Sequence, residues 1–146
     1  MQGGGAGRKL SPMFELHQQI ESDSHSVTTL ALCQVRLLDD ARYPWLLLVP
    51  ERPDIVQFMD LEPADQRTLW DEIRHVTRVL DELWRPARVN LGISGIVVPQ
   101  LHVHLIARFE NDAAWPKPVW NIGTPVTHPA DLLRTRLDAL RTMLSR

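Results

Sequence analysis

The chain has 146 residues, a formal net charge of -2, 44% hydrophobic residues and 23% charged residues. That is enough chain for one domain with a real core, with the composition of an ordinary globular protein. There is no basic field to hold nucleic acid by its backbone, no run long enough for a membrane span, and a single cysteine excludes an internal disulfide framework.

The first nine residues are glycine-rich and lack an apolar core, so residues 1–10 read as a disordered segment, not a secretory signal. A cytoplasmic protein is the default, and residues 11–146 read as a single domain with no repeat and no linker. Ser11-Pro12 signals a short helix, serine as cap and proline at the first helical position, with Met13, Leu16 and Ile20 on one face. His17 lies beside that stripe and reads as a surface residue, as does His25.

Residues 26–38 follow an extended pattern in which Cys33, Val35 and Leu37 alternate with Gln34 and Arg36. Cys33 reads as a core thiol. Asp39-Asp40-Ala41-Arg42 is a polar turn, and residues 43–50 are a second strand, apolar on both faces and therefore central. Together they read as an antiparallel hairpin. After a connection carrying Pro53, residues 63–84 carry the clearest helical pattern. Leu69, Trp70, Ile73, Val76, Leu80, Leu83 and Trp84 recur at three- and four-residue spacing. Asp71, Glu72, Arg74, His75, Arg78 and Asp81 fill the other side, so His75 faces water. Pro86 ends the helix.

Residues 88–93 form a strand with Asn90 and Gly92 on one face, and a turn bracketed by Gly92 and Gly95 follows. From Val97 to Arg108 two kinds of residue alternate. Leu101, Val103, Leu105, Ala107 and Phe109 point one way; Gln100, His102, His104, Ile106 and Arg108 point the other. Alternate positions on a strand lie roughly 7 Å apart, so an amide and two imidazoles stand in a row. The run Trp115-Pro116-Lys117-Pro118-Val119-Trp120 has too many prolines for regular structure but enough tryptophan to pack on something. His128-Pro129-Ala130-Asp131 signals a last helix over residues 129–145, with Leu133, Leu137, Leu140 and Leu144 as its stripe and His128 as a cap or surface residue. Hairpin-connected strands with a long amphipathic helix on one face indicate an α+β domain with a mostly antiparallel sheet.

Two imidazoles on one strand face have three readings: a solvated face, a metal pair, or nucleophilic catalysis with one ring attacking and the other binding charge. The surrounding residues carry a resemblance. The run Gln100-Leu101-His102-Val103-His104-Leu105-Ile106, then Ala107-Arg108, resembles the His-φ-His-φ-His-φ-φ strand of the histidine-triad family, where φ is apolar. Leu48-Val49-Pro50 at the hairpin end, the amphipathic helix, an asparagine-bearing strand (Asn90) and Trp115-Pro116 follow that family's element order. The resemblance covers about residues 30–120.

The resemblance implies hydrolysis or transfer at the α-phosphorus of a nucleoside phosphate, such as a dinucleoside polyphosphate or a nucleoside phosphoramidate. His102 would be the nucleophile and form a nucleotidyl-histidine. His104 would donate to a non-bridging oxygen, Gln100 would stand at the first triad position, and Asn90, Asp39 or Asp40, and Trp115 would contact substrate. In a second register, His102 and His104 occupy the first two positions and His104 is central. No cofactor or metal is implied for the covalent step, and a homodimer in the cytoplasm is the implied state. Three departures stand out: glutamine for the first histidine, Ile96-Val97 where many members have a phosphate-binding Gln-Ser pair, and Trp45 where many have a histidine. They keep open a non-catalytic nucleotide-binding protein on the same fold. A metal-binding reading rests on the Gly95, His102-Val103-His104, Glu110 spacing, which is a near miss to a barrel-type metal motif; the long helix argues against that fold.

Overall fold

The computed structural model describes residues 13–146. Its elements are α1 (Gln18–Asp23), β1 (Ser24–Thr29), β2 (Cys33–Leu38), β3 (Trp45–Pro50), a 3-10 turn (Phe58–Asp60), α2 (Pro63–Trp84), β4 (Arg88–Gly92), β5 (Val103–Arg108) and α3 (Ala130–Leu144). The five strands form one sheet in the order β1-β2-β3-β5-β4, every neighbour antiparallel. This is an α+β fold, as the patterning indicates.

The two faces of the sheet have different covers. Val35, Leu37, Leu46, Leu48, Val103 and Leu105 point toward α2 and α3, where Leu69, Ile73, Val76, Leu80 and Leu140 meet them. On the other face Trp45, Leu47, Val49 and Ile106 are covered by Ile20, Ala114 and Val119, with Phe14, Leu16 and Ile122 at the margin. That second face carries His104, because Leu47 pairs with His104 and His104 pairs with Gly92. β3 is buried at all six positions, which is why its sequence shows no polar alternation.

Several local expectations are corrected. Residues 26–38 are not one strand: β1 and β2 are separated by a turn at residues 30–32, closed by the Leu30 N–H donating to the Cys33 carbonyl (2.8 Å). The partner that holds this turn is Glu72, placed by periodicity on the polar side of α2. It is buried instead, and its carboxylate accepts from the N–H groups of Cys33 (2.8 Å) and Leu32 (3.1 Å). Burial pushes the Glu72 carboxyl above its ordinary range, and these two N–H groups oppose the shift. His75 is half-buried, with Nε2 3.4 Å from the Leu144 carbonyl oxygen.

The helix start expected at Ser11-Pro12 lies outside the described residues, as does the disorder expected for residues 1–10. Residues 13–17 are not helical; α1 begins at Gln18, with His17 as its cap, Nδ1 accepting from the Gln19 N–H (3.0 Å). His17 is half-buried, not a free surface residue. The histidine strand is shorter than its alternation suggests: β5 starts at Val103, and Gln100 to His102 approach it as irregular chain after Pro99.

His128 is the largest departure on the C-terminal side. It is 6% exposed, with its N–H and Nδ1 both on Asp39 Oδ1 (2.9 and 2.8 Å) and Nε2 accepting from Arg136 (2.9 Å). An expected surface cap thus ties the start of α3 to the β2–β3 hairpin. Pro129 caps α3 rather than opening it.

Candidate functional site

The two histidines reach one site by different means. His104 is held by the β5 ladder between Leu47 and Gly92. His102 precedes the strand and is held by its own ring: Nδ1 lies 2.6 Å from the Gln100 carbonyl oxygen. A carbonyl only accepts, so Nδ1 carries a hydrogen, and in the neutral ring the lone pair is then on Nε2. The ring centroids are 4.8 Å apart, at 60° to each other. His102 is 8% exposed, and His104 is half-buried.

His104 has a partner that the sequence marked only as a departure from the family pattern. The Trp45 Nε1–H donates to His104 Nδ1 at 3.0 Å. The two rings meet edge-on at 5.8 Å, and Trp120 stands perpendicular to both, 5.7 Å from His104 and 6.2 Å from Trp45. Burial, and then the neighbouring His102, lower the His104 pKa from the ordinary 6.5 to about 4. Trp120 stays close because Gly92, opposite His104, has no side chain: a Cβ there would come within 2.6 Å of Trp120 Cη2. Alternation put Gly92 and Asn90 on one face of their strand but did not set its register against His104. Nothing in the sequence paired Trp45 with it, since the two lie 59 residues apart.

Gln100 contributes its main chain to the site and its side chain elsewhere. Its Oε1 accepts from the His17 N–H (2.8 Å), and its Nε2 donates to the Glu15 carbonyl (2.7 Å). The amide therefore clips residues 15–17 onto the approach to β5. An open cavity of about 550 Å³ lies beside this clip, lined by Phe14, Leu16, His17, Ile55, Pro99 and Gln100.

Asn90 sits on β4 opposite Ile106, one step along the strand pair from His104. Its Oδ1 accepts from Arg108 Nη1 (2.9 Å), which leaves Nδ2 as its donor end. Arg108 is 2% exposed and also binds Asp112 through Nε (2.7 Å) and Nη2 (3.1 Å) and the Lys117 carbonyl (2.7 Å). The Trp115 ring lies against the Arg108 guanidinium at 5.8 Å, four residues along β5 from His104. Asp39 is engaged by His128 at the hairpin tip. Asp40 is 1% exposed and grips the Arg42 guanidinium at 2.8 and 2.9 Å. The structure thus gathers His102, His104 and the Gln100 carbonyl, with Asn90 close by, and commits Asp39, Asp40 and Trp115 to other side chains.

A groove of about 240 Å³ adjoins Trp45, bordered by Leu38, Arg42, Trp120 and Ile122. Among the described residues no three His, Cys, Asp or Glu side chains gather as a metal site, and no helix is long and apolar enough to cross a membrane.

Comparison with known proteins bears on the family and the fold. The profile of the HIT domain matches residues 19–111. A histidine triad protein of Bradyrhizobium japonicum is 43% identical, with a TM-score of 0.89 over 91% of this chain and 99% of that one. A histidine triad (HIT) protein of Sinorhizobium meliloti is 41% identical, with a TM-score of 0.86 over 88% of this chain and 96% of its own. A curated relative, the asymmetrical bis(5'-nucleosyl)-tetraphosphatase of Schizosaccharomyces pombe, is 31% identical over 72 residues. Those residues are 46% of this chain and 39% of the relative.

Proposed function

The chain belongs to the HIT domain family, and from that premise we propose that it is a nucleotide hydrolase or transferase acting at the α-phosphorus through a nucleotidyl-histidine on His102. The observation that carries the reading is the 2.6 Å contact between His102 Nδ1 and the Gln100 carbonyl. It leaves Nε2 of a neutral imidazole as a free nucleophile.

In the proposed first step Nε2 attacks the α-phosphorus and forms a P–N bond. The bond from phosphorus to the leaving oxygen or nitrogen breaks, and the leaving group departs with a proton from the site or solvent. The ring becomes an imidazolium, and its Nδ1–H stays on the Gln100 carbonyl as a charge-assisted hydrogen bond. His104 donates to a non-bridging oxygen as charge builds there. Water then cleaves the P–N bond, releases the nucleoside monophosphate and restores neutral His102. The Asn90 Nδ2 is a further donor to phosphate or sugar. A dinucleoside polyphosphate or a nucleoside phosphoramidate is the substrate class; the tetraphosphatase relative supports the former.

The reading extends to residues 11–146 as one domain and to a cytoplasmic homodimer. β4 is a free sheet edge, and Leu91, Ile93, Ile96 and Val97 are exposed on it or beside it. Light scattering after size exclusion tests the dimer, and cell fractionation tests the location.

The deciding experiment mixes the protein with an adenosine phosphoramidate or diadenosine tetraphosphate, quenches in acid-free denaturant and reads intact mass. An AMP adduct in the wild type that is absent in His102→Asn supports the proposal. Loss in His104→Asn alone moves the nucleophile to His104. Bound nucleotide with neither adduct nor turnover makes the protein a nucleotide binder.

A further inference from the structure

We propose that Trp45 is a positioning residue for the phosphate donor: its indole N–H fixes His104 as the Nε2–H tautomer, so that the ring donates while uncharged. The inference begins in the strand register. Trp45 faces Ile106 and Leu47 faces His104, so Trp45 is the diagonal neighbour of His104 on one face of the sheet. A side chain as long as tryptophan bridges that diagonal, and its Nε1 ends 3.0 Å from His104 Nδ1.

An indole N–H only donates, so Nδ1 has to accept. A neutral His104 then carries its one hydrogen on Nε2. Its neighbour His102 has the opposite arrangement, with the hydrogen on Nδ1. Two rings 4.8 Å apart thus hold complementary tautomers, one offering a lone pair and the other an N–H. Each is chosen by a partner of one polarity, a carbonyl for His102 and an indole for His104.

Trp45 is well braced for this. It is 6% exposed, with Tyr43 edge-on at 6.1 Å and Trp120 perpendicular at 6.2 Å. Protonating His104 would place a second hydrogen on Nδ1, break this bond and strand a buried indole N–H. The lowered His104 pKa agrees in direction. The groups facing His104 are Leu47 and Trp45 from β3, Gly92 from β4, Trp120 from the segment after β5, and His102. Only His102 among them carries an ionisable side chain. The nearest charged residue in the same row, Arg36, lies one strand farther, beyond Leu47. This inference deepens the phosphoryl-transfer reading and rests on it for any effect on turnover; the tautomer itself is measured without substrate.

The test uses the full chain with 15N-labelled histidine, and the His104 ring signals are assigned by their loss in His104→Asn. At pH 7 and at pH 5.5 the wild type is expected to show Nε2–H alone on His104. Trp45→Phe keeps an aromatic ring and removes the N–H; it is expected to give mixed tautomers and a higher His104 pKa. Its kcat should fall by up to ~10²-fold, as when one donor to developing charge is removed. A wild-type His104 that is protonated at pH 5.5, or hydrogenated at Nδ1, overturns the proposal without any variant. So does Trp45→Phe with unchanged tautomer and kcat. A tautomer shift in a protein whose wild type forms no adduct supports the role of Trp45 and removes the phosphoryl-transfer reading instead.

Discussion

Glu72 offers the sharpest test of how the sheet is tied to α2. Its carboxylate is 7% exposed and accepts from two main-chain N–H groups, those of Leu32 and Cys33, whose residues are 1% and 0% exposed. Glu72→Ala leaves both donors without a partner. Each buried, unsatisfied donor costs about 1–3 kcal/mol. Water entering the vacated space takes back part of that, so the expected loss is about 3 kcal/mol. For a chain of this size such a loss lowers Tm by roughly 6–12 °C. Glu72→Gln behaves differently, because its carbonyl oxygen still accepts. Since the folded state raises the Glu72 pKa, protonation of the carboxyl adds stability that is full below the ordinary 4.5 and lost as pH rises through the folded-state value, while the two N–H contacts remain. At pH 7 the neutral amide is therefore expected within about 1 kcal/mol of wild type. Urea denaturation of the three proteins at pH 7 measures this, with m-values checked for equality. Alanine as stable as wild type, or glutamine as damaging as alanine, refutes the assignment of Glu72 as the acceptor that holds the β1–β2 turn.

Asp112→Asn should cost about 3–5 kcal/mol at pH 7, because it leaves the buried Arg108 without its carboxylate. Burial alone would raise the Asp112 pKa, but the Arg108 guanidinium and the N–H groups of Phe109 and Trp115 hold it at about 2. The contribution of Asp112 is therefore present above the ordinary 3.8 and is lost as pH falls through about 2, so denaturation at stepped pH should show the gap to wild type narrowing by about 2 kcal/mol. Gly92→Ala puts a methyl 2.6 Å from Trp120 Cη2. The variant should lose about 1 kcal/mol by thermal melting, the low end of overpacking costs, because Trp120 is 39% exposed and can swing away. It should also slow adduct formation, since Trp120 no longer braces His104. Asp39→Asn should lower Tm and leave the nucleotide KM unchanged, because the Asp39 Oδ1 is taken by the N–H and Nδ1 of His128. A tenfold rise in KM without a drop in Tm would restore the substrate contact expected of Asp39.

What was legible depended on how far apart the interacting residues lie. α2 was read at its boundaries, since Pro63 opens it, Pro86 follows it and its apolar stripe repeats over 22 residues. The face shared by His104, Ile106 and Arg108 followed from alternation alone. The turn between β1 and β2 was not legible, because Leu30-Ala31-Leu32 carries no turn residue and its anchor is 40 residues away on a helix. Glu72 was misassigned for the same reason: periodicity gives a position on a helix, not the unpaired N–H groups waiting opposite it. Trp45 and His128 show this at the site and the hairpin. Neither shows its partner locally, and each takes its role from a residue 59 or 89 positions distant.

The choice of amide over imidazole at position 100 has a consequence for titration. Gln100 offers one acceptor to His17 and one donor to Glu15, and neither changes with pH. A protonated imidazole has two donors and no acceptor, so a histidine making these contacts would turn an N–H toward the His17 N–H on acidification. With glutamine, the segment beside the histidines stays fastened across the pH range, whatever happens at the two rings. The protein thereby makes the anchor of that segment indifferent to pH, two residues before the ring proposed to attack phosphorus.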